Sequence, residues 1–319
     1  TLAAWFNEVG TVKLLLENGA SVDATDGDGR TALHVAAEGG YCDVVALLVE
    51  HGASVDALFC GCTPSLLAAK RLQWDDMARP WILRYLLTPR VGANPAAQDC
   101  YGRGVLHWCA VNGEARALSK LIIRARTPLD AQDHCGQTAL HLAVAACRED
   151  MVRGLLRANA DSAVRSHDGT TVAHIAAYTG RLNILSRLQD ARAGMKQQND
   201  SHLPSADAPG VQLNAKDADG YTALTIAVLT GNLHVAQFLR RLPGGDEGDV
   251  EFHSSVTYEI VTRHPPRLQL PSEDETFDHA SCLTADGQPR KPVFSDDVRE
   301  WLRHQRFLVE NGRSEVQSS

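Results

Sequence analysis

The chain has 319 residues, of which 44 % are hydrophobic and only 6 % aromatic, with a net charge of −8. That is apolar material enough for a core, but no run approaches the roughly 18 apolar residues of a membrane span, and no basic-then-apolar leader opens the sequence. The charge leaves no basic footprint for nucleic acid and is local in origin, since residues 246–278 hold nine acidic against two basic side chains.

The first 24 residues match residues 34–57 at an offset of 33, with Ala3-Ala4 on Ala36-Ala37 and Leu15 to Asp23 on Leu48 to Asp56. The chain is therefore expected to open inside a truncated unit whose edge carries Trp5 and Phe6. Further units follow at about 26–57, 58–97, 99–132, 133–165, 166–213 and 217–245. Each reads as a turn, a short helix opened by Thr (Thr31, Thr63, Thr138, Thr171, Thr222), a Gly-centred break and a second helix ending at Gly.

Two units depart from this pattern. In 58–97, Ser65 and Leu66 replace a Leu-His pair, and the extra residues around Arg71 to Pro80 predict an extended loop before a helix from Trp81. In the unit from Ser166 the second helix is expected to end near Leu188. Gln189 to Gly210, polar and rich in Asp, Gln, Ser and Pro, then reads as a disordered loop. Residues 246–283 read as an acidic flexible linker, within which Val256 to Thr262 alternates weakly as one strand. Ser295-Asp-Asp supplies an N-cap and first-turn acids to a helix carrying Val298, Trp301, Leu302 and Leu308. Because Phe307 to Val316 echoes Leu47 to Val55, the helical segment 284–319 suggests a degenerate closing repeat over 284–316.

One motif ties the units together. Asp133-His-Cys-Gly-Gln-Thr-Ala-Leu-His-Leu-Ala143 returns as Asp26-Gly-Asp-Gly-Arg-Thr-Ala-Leu-His-Val-Ala36, Asp99-Cys-Tyr-Gly-Arg-Gly-Val-Leu-His-Trp-Cys109, Ser166-His-Asp-Gly-Thr-Thr-Val-Ala-His-Ile-Ala176 and Asp217-Ala-Asp-Gly-Tyr-Thr-Ala-Leu-Thr-Ile-Ala227. Its fixed Gly stands at Gly29, Gly61, Gly102, Gly136, Gly169 and Gly220, spaced by 32, 41, 34, 33 and 51. This pattern resembles the ankyrin repeat family, whose unit of about 33 residues is a turn plus two antiparallel helices. The resemblance covers about residues 1–245 and implies an all-α solenoid of stacked helix-turn-helix units with β-turn fingers, each touching only its neighbours.

His34, His107, His141 and His174 recur at one position of the unit. Equivalent atoms of adjacent repeats lie roughly 8–10 Å apart, whereas zinc needs its ligands within about 2.3 Å, so no shared metal is expected. The resemblance implies instead that this histidine ties the turn by hydrogen bonds to backbone. Cys60, Cys62, Cys100, Cys135 and His134 fall on successive turns and fail the same spacing test. His279-x-x-Cys282 with His253 and His264 lacks regular spacing. Eight cysteines without a framework suit a reducing compartment. No phosphate loop or nucleophile elbow is present; neither catalytic residues nor a cofactor is expected.

What the resemblance implies is a non-enzymatic protein–protein interaction scaffold or adaptor, monomeric and intracellular (cytoplasmic or nuclear). Its partner would meet the turn tips and the inner face of each first helix. By position the tips are Asp28 and Arg30, Phe59 and Cys62, Tyr101 and Arg103, His134 and Gln137, His167 and Thr170, Asp219 and Tyr221. The helix positions are Glu38, Lys70, Arg71, Asn112, Tyr178 and Thr179. Since Tyr and Arg are frequent hot spots, Arg30, Phe59, Tyr101, Arg103, Gln137, Tyr178 and Tyr221 are the expected partner contacts. The acidic segment points to a basic partner or folds back onto the array. Fold analogy alone suggests two further functions: the targeting module of a larger enzyme or ubiquitin-ligase substrate receptor, and a transcription-factor inhibitor-like binder.

Overall fold

The structure, a computed structural model, describes residues 1–72, 78–113, 127–197, 213–241, 298–304 and 306. Its helices are seven to nine residues long in most units, for example Ala32–Gly39, Cys42–Glu50, Pro64–Lys70 and Val172–Tyr178. Helices this short are marginal alone, so two local devices and a long-range one hold them. At the N-terminus a Thr hydroxyl accepts from the backbone N–H three residues on: Thr31 from His34, Thr63 from Leu66 and Thr222 from Thr225. At the C-terminus of the first helices Gly40 and Gly113 adopt left-handed backbone, with φ of 79° and 80°. Cys147 takes that conformation at φ 56° where glycine is the usual residue.

The long-range device is packing. The first helices inside the stacks are buried on nearly all sides: in Ala32–Gly39 every residue from Ala32 to Ala37 is buried, and in Ala139–Ala145 every residue is. Alanines such as Ala36, Ala37, Ala176 and Ala177 let neighbouring helices approach closely, while Leu33, Leu66, Leu67 and Trp108 fill the seam. Burying one such leucine stabilises by about 1.5–3 kcal/mol. The second helices bury one face only, as with Val44, Val45 and Leu48.

The described residues fall into two compact units, one running to His134, the other starting at Cys135 and taking in the helical residues 298–304. In the first, the first helices pack in the order Leu2–Trp5, Ala32–Gly39, Pro64–Lys70, Val105–Asn112, and the second helices in the order Val9–Glu17, Cys42–Glu50, Ala78–Leu86. In the second, Ala139–Ala145, Val172–Tyr178 and Ala223–Leu229 form one row, and Glu149–Arg157, Leu182–Gln197 and Leu233–Arg241 the other. Trp5 and Phe6 are exposed on the outer edge of the first unit, together with Leu2.

Three expectations are corrected. The helix from Leu182 continues to Gln197 instead of ending near Leu188, because Ala191, Arg192, Ala193, Met195, Lys196 and Gln197 are good helix formers despite their polar surroundings. The helix placed at Trp81 begins at Ala78. Cys100 is disulfide-bonded, so cysteine usage does not assign a reducing compartment. The remainder of the expected loop to Gly210, the acidic linker 246–283 with its strand at 256–262, and the echo at 307–316 lie outside the described residues.

Candidate protein-binding surface

Four of the fingers are turns organised by a carboxylate, whereas the finger at Leu58 to Cys62 has no acid and closes by backbone bonds between Phe59 and Cys62 at 2.8 and 2.9 Å. Asp26 Oδ1 accepts from the N–H groups of Asp28 and Arg30 at 3.1 and 2.8 Å, Asp99 Oδ1 from Tyr101 and Arg103 at 2.9 Å each, and Asp217 Oδ1 from Asp219 and Tyr221 at 3.0 and 2.8 Å. In the finger from Ser166 the acid has moved: Asp168 accepts from Thr170 N–H at 3.1 Å, and the Ser166 hydroxyl donates to the Thr170 carbonyl at 2.9 Å. Paired bonds between the ends of the turn, such as Asp99 N–H to the Arg103 carbonyl at 2.9 Å, complete it.

Backbone bonds join consecutive fingers edge to edge: His134 N–H to the Tyr101 carbonyl at 2.9 Å in the first unit, and His167 N–H to the Cys135 carbonyl at 3.0 Å in the second. The fixed glycine has left-handed backbone at every one of its six positions, with φ from 73° to 88°, and at two of them close approach adds a second reason. At Gly102, with φ of 75°, an added Cβ would lie 2.9 Å from His134 N, and at Gly136 it would lie 2.6 Å from His167 N.

The four histidines lie buried behind the fingers. Thr171 N–H donates to His174 Nδ1 at 3.1 Å, which leaves the ring proton on Nε2 to be donated to the Tyr221 carbonyl of the next finger at 2.9 Å. His34 does the same with Thr31 N–H and with the carbonyls of Ala57 and Cys62, and His141 with Thr138 N–H and the Thr170 carbonyl. His107 Nδ1 accepts from Gly104 N–H at 3.0 Å. Burial disfavours the imidazolium, lowering the pKa of His34 and taking that of His174 down to about 4. Among the described residues no group of three or more His, Cys, Asp or Glu is arranged to hold a metal ion.

Five of the seven expected contact residues are buried: Tyr101 at 8 % exposure, Arg103 at 7 %, Gln137 at 5 %, Tyr178 at 6 % and Tyr221 at 2 %. The expectation that they are exposed to a partner is corrected: Arg103 packs back along the stack and Tyr221 lies under Arg306. The Arg103 guanidinium lies 4.9 Å from the Tyr101 ring centroid, 5.4 Å from that of Trp108 and 3.8 Å from Asp133. Trp108 Nε1–H in turn donates to Asp99 Oδ2 at 3.0 Å. Cys62, Lys70 and Thr170 are buried as well.

Arg30 and Phe59 remain half-exposed. The Arg30 guanidinium lies 5.7 Å from the Trp5 ring and 5.3 Å from the Phe59 ring, and pairs with Glu38 at 3.5 Å. Glu38 also pairs with Arg71 at 3.3 Å, and its carbonyl accepts from Arg79 Nε at 3.0 Å. Asp28, His134 and His167 are exposed at their tips, while Asp219, Asn112 and Thr179 are partly exposed.

In the second unit the tips are met by residues that the sequence reading did not single out. Arg299 hydrogen-bonds both Asp168 and Asp219, and Arg303 reaches Asp219 Oδ1 at 2.7 Å. Arg306 lies over the Tyr221 ring at 5.6 Å. The available signal was the i, i+4, i+7 spacing of arginine at 299, 303 and 306, which falls on one face of a helix.

The description "Ankyrin repeats (3 copies)" matches residues 1–99, 75–166 and 106–200, and "Ankyrin repeats (many copies)" matches 205–240. The chain belongs to the ankyrin repeat family. Mouse (Mus musculus) inversin is 35 % identical over 94 residues, which span 30 % of this chain and 9 % of inversin. The NF-kappa-B inhibitor zeta of Bos taurus is 32 % identical over 147 residues, 45 % of this chain and 19 % of the relative. A crystal structure of an ankyrin repeat domain from Acinetobacter baumannii superposes with a TM-score of 0.55 at 27 % identity, covering 60 % of this chain and 96 % of that one. Ankyrin repeats mediate protein–protein interaction as a rule. No helix among the described residues is long and apolar enough to cross a membrane.

Proposed function

We propose that the chain is a non-enzymatic scaffold that binds a protein partner through the fingers and adjoining first helices of its N-terminal repeats. The observation that carries this reading is the half-exposed Arg30, held between Trp5 and Phe59 with Glu38 alongside. Arginine and large aromatics dominate binding hot spots, and a guanidinium already held by two rings and a carboxylate has less side-chain freedom to lose on binding. In this reading residues 1–245 form the array, 246–283 an acidic linker that speeds encounter with a basic partner, and 284–319 a closing helical segment. The protein acts as a monomer inside the cell.

The test is a quantitative pull-down with the full chain and its Arg30→Ala/Phe59→Ala variant. Retention of the partner is expected to fall about tenfold or more in the variant, as for loss of a hot spot. Equal retention by two folded proteins would remove the reading. The similarity to NF-kappa-B inhibitor zeta favours a second one, in which the partner is a transcription factor. Purified NF-kappa-B that passes through immobilised chain without retention would exclude it.

A further inference from the structure

The fingers differ in which cation meets their carboxylates. The fifth turn position carries arginine in two of them: Arg30 stands 3.8 Å from Asp26 and 3.6 Å from Asp28, and Arg103 stands 3.8 Å from Asp133. In the fingers 166–170 and 217–221 that position is Thr170 and Tyr221. Three carboxylates, Asp168, Asp217 and Asp219, then gather there with no arginine of the finger to meet them. Neighbouring like charges need a cation.

That cation comes from the helical residues 298–304. Arg299, only 8 % exposed, is hydrogen-bonded to Asp168 and Asp219 and stands 4.0 Å from Asp217 Oδ2. Arg303 donates to Asp219 through two nitrogens, at 2.7 and 3.2 Å, and Arg306 covers Tyr221. Val298 and Leu302 are buried beside them. Asp217 supplies an independent sign of a binding site: its Oδ1 is used by its own turn, while Oδ2 is buried with no hydrogen-bond partner and is aimed at the guanidinium. That oxygen is therefore committed to the guanidinium by charge alone and not to its own turn.

We propose that the fingers 166–170 and 217–221 form a receptor for an amphipathic helix with arginine at positions i, i+4 and i+7 and apolar residues at i−1 and i+3. The chain's own segment 298–306 is its resident, displaceable occupant. The partner is a basic helix of another protein that carries the same five-residue pattern. It docks by guanidinium groups that use two nitrogens at once, Arg299 bridging Asp168 and Asp219 and Arg303 placing Nε and a terminal nitrogen on Asp219 Oδ1, which a lysine ammonium cannot reproduce, in the manner of a helix laid on a groove. Because the resident helix is tethered, its effective concentration is on the order of millimolar. A partner must therefore be abundant, or the resident helix must be released, before the site is taken. This surface belongs to the second unit, the one around Arg30 to the first.

The test uses the full chain and a fluorescein-labelled peptide of residues 295–308, acetylated and amidated, followed by anisotropy. Wild-type chain is expected to bind it weakly, and the Arg299→Ala/Arg303→Ala chain at least about tenfold more tightly, because the tethered competitor is gone. Adding Asp168→Asn/Asp219→Asn should abolish binding, and a peptide with lysine at the three arginine positions should bind more weakly. A double-alanine chain that keeps its helical content yet takes up no more peptide than wild type would overturn the proposal, making the segment a fixed structural cap. If that variant does not fold, hydrogen exchange on the wild-type chain decides: excess peptide must raise deuterium uptake in residues 298–306, and unchanged uptake equally overturns the proposal.

Discussion

His174 Nε2 donates to the carbonyl of Tyr221 across 2.9 Å, although 47 residues separate the two in sequence. The bond fastens a buried helix to the next finger, and Thr171 N–H fixes the tautomer that makes it possible. One imidazole thus joins two repeats.

Its titration follows. Burial takes the His174 pKa to about 4 in the folded chain, against an ordinary 6.5. Between those values the unfolded chain binds the proton and the folded chain does not. The stability due to the neutral ring is therefore fully present above about pH 6.5 and lost as pH falls toward 4, on the order of 3 kcal/mol in all. Urea unfolding at pH 7, 5.5 and 4.5 should show this decline, and His174→Asn should flatten part of it. A His174→Asn chain with the wild-type pH dependence would show that other groups cause it.

The fixed glycine gives a differential prediction. Gly102 and Gly220 both have left-handed backbone, at φ 75° and 80°, but a Cβ at Gly220 meets nothing within 4 Å whereas one at Gly102 meets His134 N at 2.9 Å. Gly220→Ala should cost roughly 1 kcal/mol for the backbone alone. Gly102→Ala should lose a further ~1–3 kcal/mol to overpacking. Thermal melts of the two variants decide, and equal losses would contradict the edge-to-edge joining of fingers.

Local chemistry made much of the fold readable. A Thr three residues before a His, an Asp three before a Gly, and a Gly after a helix each act within one turn of chain, so Thr31-Ala-Leu-His34 or Asp99-Cys-Tyr-Gly102 announce themselves. The exposure of a tip residue does not. Tyr221 and Arg103 look like contact residues by composition, but whether they face solvent depends on what lies over them. For Asp168 the covering group, Arg299, stands 131 residues away, and for Asp219 it stands 80 residues away. Pairings at that separation leave no periodic trace, so the sequence showed the acids and the arginines but not their meeting.

Cysteine reactivity separates two sites. Burial pushes the Cys62 thiol up to about 12, so almost none is thiolate at pH 8 and alkylation is slow. Cys147 is half-exposed and should react before Cys62. Peptide mapping after brief iodoacetamide treatment of native chain should find Cys147 labelled and Cys62 spared, with both labelled in urea. Early labelling of Cys62 in the native chain would contradict its burial at the finger.

Asp99 accepts three buried hydrogen bonds in the first unit. Its Oδ1 takes the N–H groups of Tyr101 and Arg103, and its Oδ2 takes the Trp108 indole at 3.0 Å, all buried. Asp99→Ala strands three donors and should cost about 3 kcal/mol or more, since each buried unsatisfied group costs roughly 1–3 kcal/mol. Asp99→Asn, oriented to keep Oδ1 for the turn, sets an amide NH2 against the indole N–H, so it should be destabilised too, though less. Trp108→Phe removes the indole donor and leaves Oδ2 without it. In the Trp108→Phe background, Asp99→Asn should therefore cost less than in wild type, because the donor–donor clash is gone. Urea unfolding of the four proteins measures the difference. Additive losses would mean that the indole bond contributes nothing and that Asp99 serves the turn alone.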